Sequence, residues 1–138
     1  MRINAAEARR RLGGARVAVL ATVAATGRPH VVPVTFALAG DLVYTAVDAK
    51  PKTTRDLRRL DNIRSDPRVS VLADYYDEDW AELWWVRADG EATIVDDRPE
   101  MTEPVRLLAR RYPQYRRDPP AGPVIAVRVT RWTGWSAT

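Results

Sequence analysis

The chain has 138 residues, of which 46% are hydrophobic and 29% are charged. We expect a single domain over residues 1–138, because a chain of this size buries enough surface for a core without cross-links. The absence of cysteine excludes disulfide bonds and thiolate chemistry, and the single histidine, His30, excludes a multi-histidine metal site. The apolar run near the N-terminus is too short to span a bilayer, so we expect a cytoplasmic protein with no membrane partner.

The net charge of +4 comes with basic and acidic residues interleaved along the chain. This pattern and the absence of a recognised nucleic-acid motif exclude a nucleic-acid partner. Two lysines occur in the whole sequence, Lys50 and Lys52, whereas arginine supplies every other basic side chain. Their placement on either side of Pro51 is the most informative feature of the composition.

The hydrophobic pattern of the first half predicts one helix and three strands. The helix covers residues 4–12 and ends at Gly13 and Gly14. The predicted strands cover residues 16–24, 28–38 and 42–47, with turns at residues 25–27 and 40–41. The second of these strands is apolar on both faces, so we expect it to be covered on both sides.

The second half predicts two helices and at least three further strands. The helices cover residues 55–64 and 100–112; the strands cover residues 68–73, 83–95 with a turn at Asp89 and Gly90, and 124–132. An acidic loop (74–82), a second loop (113–123) and a short tail complete the chain. About six antiparallel strands with helical insertions predict a small, mainly β barrel.

The segment from Lys50 to Arg55 is a candidate anion-binding site. It combines two ammonium groups with the hydroxyl groups of Thr53 and Thr54 just before a predicted helix, where backbone N–H groups are free. Lysine is well suited to phosphate, and Pro51 stiffens the loop. The alternative is a solvated basic loop with a threonine helix cap; the unusual lysine placement favours the anion site.

Pro33 interrupts the apolar segment Val32–Pro33–Val34 of the second strand. Because proline lacks an N–H group, it belongs at a sheet edge, at a bulge or where another group approaches the backbone. A planar ring could lie against this segment, although a plain edge or bulge proline is the more common case.

The remaining candidates are aromatic. The acidic loop contains Trp80, which could form a pocket wall, and a dimer interface would account for some of the five tryptophans. The carboxylates of this loop lack the spacing of a calcium site. His30 has no catalytic partner motif and is more often structural in such a position, and no side chain is identified as catalytic. A cofactor would therefore supply any chemistry.

The order of these segments resembles the pyridoxamine-phosphate-oxidase-like split β-barrel family. The resemblance lies in residues 16–22 with 27–34, in residues 43–45, and in residues 90–92. Its most specific part is the lysine–threonine segment (50–57) followed by the Asp-Pro-Arg-Val strand (66–72). The short length, the lysine-containing loop and the tryptophan-rich tail are most similar to the actinobacterial branch that binds the deazaflavin coenzyme F420.

This resemblance implies a homodimeric oxidoreductase with two cofactor sites at the subunit interface. It places the coenzyme phosphate on Lys50, Lys52 and Thr53, with Thr54 and Arg55 nearby. It places the deazaflavin ring near Val32, Pro33 and Val34, with Trp80 as a wall from the partner subunit. Hydride would pass to a small organic acceptor.

Two alternatives share this fold and phosphate site: an FMN-binding flavoprotein oxidoreductase, and a non-catalytic protein that carries F420 or a flavin. Pyridoxamine phosphate oxidases themselves carry an Arg-x-His element near the C-terminus. Here the corresponding tail runs from Arg131 to Trp135 without a histidine, which argues against vitamin B6 oxidation.

Overall fold

The computed structural model describes residues 1–47 and 55–138, with the side chains of residues 55–57 excluded. The described part contains four helices, α1 (Ala5–Gly14), α2 (Arg55–Ser65), α3 (Arg98–Arg111) and α4 (Pro113–Arg117). It also contains seven strands, β1 (Ala18–Val23), β2 (Pro29–Val34), β3 (Ala37–Ala39), β4 (Leu42–Ala46), β5 (Arg68–Tyr75), β6 (Trp84–Val95) and β7 (Val124–Ser136). No helix within these ranges is long and apolar enough to cross a bilayer.

The strands form one antiparallel sheet in the order β2-β1-β5-β6-β7-β4-β3. The sheet curls into a half-barrel whose two edges, β2 and β3, are consecutive in the chain. The predicted mainly β, split-barrel architecture is therefore confirmed, with one strand more than the six expected.

The main core lies inside the curled sheet. Inward-facing side chains of the central strands, such as Leu20, Val71 and Val86, are almost completely buried. Helix α1 adds Ala8 and Leu12, and α2 adds Leu60 and Ile63. A second, smaller cluster packs α3 and α4 against β3, β4 and the start of β7.

The predicted strand over residues 28–38 is wrong in two respects. It is divided into β2 and β3 at Thr35 and Phe36, because backbone groups of these two residues form hydrogen bonds with side chains from other parts of the chain. The Thr35 carbonyl accepts from the Thr45 hydroxyl at 2.7 Å, and the Phe36 amide donates to the Tyr112 hydroxyl at 3.1 Å. In addition, β2 is covered on one face alone within this chain, since Val31 is 63% exposed.

The predicted turn at Asp89 and Gly90 is also wrong, since β6 runs through this point as one strand. The register against β7 shifts there, which makes a β-bulge. A Cβ atom on Gly90 would lie 2.2 Å from the Arg128 carbonyl oxygen. The glycine is therefore required by the close approach of two backbones, and not by a reversal of the chain.

Near the C-terminus, two predictions need correction. The tail after residue 132 is part of β7, where it pairs with the start of β6. Residues 113–117 form the short helix α4 within the predicted loop; Pro113 stands at the first position of this helix, where its missing N–H group costs nothing.

Candidate functional site

The open edge of β2 is formed by the main chain of Pro29, Val31 and Pro33. The hairpin between β1 and β2 is closed by a hydrogen bond of 2.9 Å from the Ala24 amide to the Arg28 carbonyl. The register then runs without a shift along the strand pair. In an antiparallel pair alternate residues bond to the neighbouring strand, so residues 29, 31 and 33 face away from β1.

This edge is unusual in what it offers to another molecule. Two of its three residues are prolines, so it presents three carbonyl oxygens but only the amide hydrogen of Val31. Pro33 is thus an edge-strand proline, one of the positions predicted for it. The edge can accept hydrogen bonds from a ligand but cannot pair with a further strand in the regular way.

Exposed apolar side chains lie beside this edge on the outer face of the sheet. Pro33 is opposite Val19, and Val19 is opposite Leu72 on β5. Val19 and Leu72 are 37% and 38% exposed, and Val17 and Val31 are more exposed still. We call these five residues the outer apolar face. A contiguous group of this kind is typical of an interaction surface, whereas single exposed apolar residues are common everywhere.

The Pro33 side chain lies on the opposite face of the sheet from the side chains of Val32 and Val34. Val34 is 6% exposed and Val32 packs against the main core, whereas Pro33 faces outward. A ring that approached this segment from outside would therefore meet the Pro33 side chain and the backbone of β2. The two valine side chains hold the strand in place from within.

Trp80 lies on the 3₁₀ turn Trp80–Glu82 and is 67% exposed. Asp79 caps this turn by accepting a hydrogen bond of 3.1 Å from the Ala81 amide. The indole N–H lies 3.4 Å from the hydroxyl oxygen of Tyr76, which is itself exposed. The side chain is thus available to another molecule, and its role as a wall from a partner subunit stays a prediction.

The predicted phosphate-binding residues Lys50, Lys52, Thr53 and Thr54 lie outside the described residues, as does the Arg55 side chain. A buried hydrogen bond connects α2, the helix that follows them, to the sheet. The Asn62 amide donates a hydrogen bond of 2.9 Å to the Thr22 hydroxyl, which joins α2 to β1. Both side chains are buried, at 4% and 1% exposure.

His30 faces the interior of the half-barrel, directly opposite Thr22. Its Nδ1 atom is buried and has no hydrogen-bond partner among the described residues. The structural role expected from the sequence stays a prediction.

A polar cluster that the sequence analysis missed lies on the outer face of the sheet. The Ser70 hydroxyl donates to the Asp89 carboxylate at 2.6 Å, and Arg87 Nε donates to the same oxygen at 3.0 Å. The Arg87 guanidinium also lies over the Trp85 ring, 5.8 Å from its centroid. The alternation of these residues along β5 and β6 could have predicted the cluster. It was missed because Asp89 was assigned to a turn.

Residues 5–136 match the family described as pyridoxamine 5'-phosphate oxidase. The chain belongs to this family. The expected resemblance to the split-barrel family is thereby confirmed over almost the whole length. Among curated proteins, none matches the sequence significantly.

Solved structures of other proteins share this fold. A conserved hypothetical protein of Mycobacterium tuberculosis is 22% identical with a TM-score of 0.79, and the match covers 98% of this chain and 86% of that one. An FAD-binding protein of Mesorhizobium loti is 21% identical with a TM-score of 0.72 over 97% and 95%. An FAD-binding protein of Mycobacterium smegmatis is 19% identical with a TM-score of 0.67 over 98% and 96%.

Within this family member, the end of β7 serves to hold the fold together. The Trp132 indole N–H donates to the Asp41 carboxylate at 2.9 Å, and this bond is the main reason that the pKa of Asp41 is lowered. Asp41 also pairs with Arg9 of α1 at 3.1 Å. Trp132 thus connects the β3–β4 hairpin and α1 to the sheet, and is accounted for without a ligand.

Proposed function

We propose that this protein is a homodimeric oxidoreductase that binds the deazaflavin coenzyme F420 at the subunit interface and transfers hydride to a small organic acceptor. The observation that carries the proposal is the open edge of β2 beside the outer apolar face. A tricyclic redox cofactor has a flat apolar body and one polar pyrimidine edge with an N–H donor between two carbonyl acceptors, and this surface matches both parts.

The β2 edge fits the pyrimidine edge by its hydrogen-bonding character. The carbonyl oxygens of Pro29, Val31 and Pro33 can accept from the N–H group of a ring, and the Val31 amide can donate to a ring carbonyl. The backbone of this edge is restrained by the two prolines and by the packing of β2 against the core. Ligand binding there therefore costs little conformational entropy. The Pro33 side chain and Val31 offer apolar contact for the ring system.

The outer apolar face supports the homodimer. Val19 lies at the centre of the face, between Pro33 and Leu72, and these side chains would be protected from water by a second copy of the chain. A two-fold interface brings the same patch from both copies together. The Ser70–Arg87–Asp89 cluster beside it is internally paired, so its burial would leave no charge without a partner.

The lysine–threonine segment supports the phosphate end of the cofactor. Lys50 and Lys52 precede α2, whose first amide groups and positive dipole end favour an anion. The cofactor supplies hydride transfer when bound; the protein binds it, orients it and excludes water from the cleft. We assign no side chain as an acid or base.

A flavin is the second candidate cofactor, because two of the similar structures are FAD-binding proteins. An FMN-dependent oxidoreductase or a non-catalytic carrier of F420 or flavin would use the same residues. The deazaflavin stays the first candidate because the lysine-containing loop and the tryptophan-rich tail are similar to those of the F420-binding branch.

Separate titrations of F420 and FMN into the apo protein, followed by tryptophan fluorescence, test the proposal. We expect saturable binding of F420 and weaker binding of FMN. The double variant Lys50→Ala/Lys52→Ala should weaken binding at least about tenfold, since one charge-assisted contact is worth that much. The control is Arg116→Ala/Arg117→Ala, which removes two exposed cations of α4 and should leave the affinity unchanged.

Three results would contradict parts of this proposal. If FMN bound more tightly than F420, FMN would be the cofactor. If a folded lysine double variant bound the cofactor with unchanged affinity, the proposed phosphate site would be wrong. Tight binding of F420 without reduction of any acceptor would favour the carrier.

A further inference from the structure

A cavity of about 680 Å³ opens between the end of α1 and the ends of β5 and β6. Its volume is in the range of small-molecule sites. The side chains that matter are three arginines, two aromatic residues and two carboxylates: Arg10, Arg11, Arg16, Tyr75, Trp84, Asp74 and Glu82. Val17 belongs both to this cavity and to the outer apolar face, so the cavity adjoins the surface proposed for the cofactor.

The aromatic wall of the cavity is a stacked pair. The ring centroids of Tyr75 and Trp84 are 6.4 Å apart, and the ring planes differ by 19°. Tyr75 is 46% exposed, so one ring face remains open to a third ring. Its hydroxyl donates to Asp77 at 3.0 Å, which fixes the ring and raises the pKa of Tyr75.

The basic wall of the cavity has more positive charge than its local partner neutralises. Arg10 and Arg11 both bond to the single carboxylate of Glu7, at 2.6 Å and 2.7 Å. Two guanidinium groups on one carboxylate leave one excess positive charge and several free N–H donors. The Arg11 guanidinium lies 5.6 Å from the centroid of the Trp84 ring, so the positive charge and the aromatic wall are adjacent.

The remaining wall is acidic. Asp74 and Glu82 line the cavity, and neither forms an ion pair with another described residue. Two carboxylates that no described cation neutralises oppose a second negative group on a ligand, but tolerate hydroxyl or amine donors. The arrangement therefore favours a ligand with one anionic end only.

We propose that this cavity binds a planar aromatic molecule with one negative charge, whose ring stacks on Tyr75 and whose anionic group meets Arg10 and Arg11. This cavity would also be the site of the hydride acceptor, and that role rests on the proposed function. The binding of the aromatic anion does not depend on it. The size, the aromatic stack and the charge distribution of the cavity all point to this class of ligand.

Calorimetric titration of 2-naphthoate into the protein without cofactor tests this inference. We expect one saturable site per chain. The neutral isostere 2-naphthol should bind about tenfold more weakly, because it lacks the charge-assisted hydrogen bonds. The dianion 2,6-naphthalenedicarboxylate should also bind more weakly than 2-naphthoate, because its second carboxylate meets the acidic wall.

Two pairs of variants locate the site. Tyr75→Leu should reduce the affinity for 2-naphthoate at least about fivefold, whereas Tyr76→Leu, which changes the neighbouring exposed ring outside the cavity, should not. Arg10→Gln should reduce it, whereas Arg9→Gln on the same helix should not. Absence of saturable binding, equal affinity for 2-naphthol, or equal effects of a variant and its control would overturn the proposal.

The two proposals can fail separately. The double variant Lys50→Ala/Lys52→Ala should retain its affinity for 2-naphthoate, because the proposed contacts to this ligand come from Tyr75, Arg10 and Arg11. A protein that binds 2-naphthoate but neither F420 nor FMN would support the aromatic-anion site and overturn the proposed function. A protein that binds a cofactor but not 2-naphthoate would overturn the aromatic-anion site alone.

Discussion

The hydroxyl group of Tyr112 lies 3.1 Å from the amide nitrogen of Phe36 and 3.0 Å from its carbonyl oxygen. The tyrosine follows α3 directly, and Phe36 lies at the break between β2 and β3. Arg111 reinforces the same junction by donating to the Phe36 carbonyl at 3.1 Å and to the Ala15 carbonyl. The C-terminal end of α3 thus fixes the point at which the chain leaves one sheet edge and enters the other.

Removal of the Tyr112 hydroxyl should destabilise this junction. Phe36 is completely buried, so Tyr112→Phe leaves its amide without a partner, and we expect the free energy of unfolding to fall by about 1–3 kcal/mol. Urea denaturation measures this change. The control Tyr115→Phe removes a half-buried hydroxyl that lies 3.0 Å from Thr35 Oγ1, and should cost about 1 kcal/mol or less. Equal losses in the two variants would contradict the special role of Tyr112.

Substitution of Gly90 by alanine should be costly at the β-bulge. The new methyl group would lie 2.2 Å from the Arg128 carbonyl oxygen, which is backbone and must move. We expect a loss of about 1–3 kcal/mol in the free energy of unfolding, as for other overpacked sites. Gly14→Ala at the end of α1 is the control, because a Cβ there has no neighbour within 4 Å. A neutral effect of Gly90→Ala in thermal unfolding would show that the two strands separate easily.

Protonation of Glu7 at low pH should lower the free energy of unfolding. Hydrogen bonds from Arg10 and Arg11 lower the pKa of Glu7 from 4.5 to about 2. Because the folded protein holds the ionised form, the stabilisation is complete above pH 4.5 and is lost as the pH falls to about 2. Urea midpoints across this interval should fall less steeply in Glu7→Gln than in the parent.

The control for the acid experiment is Glu78→Gln, which changes an exposed carboxylate that forms no ion pair with another described residue. Its midpoints should follow those of the parent. Asp66 should contribute over a similar interval, because bonds from Arg68 lower its pKa from 3.8 to about 2. If the urea midpoints of Glu7→Gln and of the parent fell equally with decreasing pH, Glu7 would not be the source of the loss of stability in acid.

A charge introduced on the outer apolar face should dissociate the proposed homodimer. Leu72→Lys would bury two ammonium groups in a two-fold interface, one from each chain, and we expect the dimer dissociation constant to rise at least about a hundredfold. Sedimentation equilibrium measures the change. Gln114→Lys adds the same charge on α4 and should leave the association state intact. A monomeric parent protein would contradict the proposed homodimer, and an unaffected Leu72→Lys dimer would place the interface elsewhere.

The sequence was sufficient to predict the elements whose signals are local. Asn4 caps α1 by accepting from the Glu7 amide at 2.8 Å, and Gly27 and Gly40 adopt positive φ angles at the two predicted turns. The alternation of apolar residues predicted the strands, and the family resemblance predicted the split barrel. These features depend on residues that are close together in the sequence.

The sequence was not sufficient where contacts between distant residues decide the structure. The break at Phe36 depends on Tyr112, 76 residues away, and the bulge at Gly90 depends on the backbone of Arg128. For the candidate site, the position of Pro33 at an edge was anticipated. The outward direction of its backbone groups follows only from the register with β1.

The prolines of β2 also limit how copies of this chain can associate. An exposed strand edge normally allows one sheet to continue into the next, which is a common route to open-ended aggregates. Pro29 and Pro33 remove the amide groups that such growth requires, while the adjacent apolar face remains attractive. In the proposed homodimer, contact between the two faces closes after two copies and leaves the strand edge free for a small molecule.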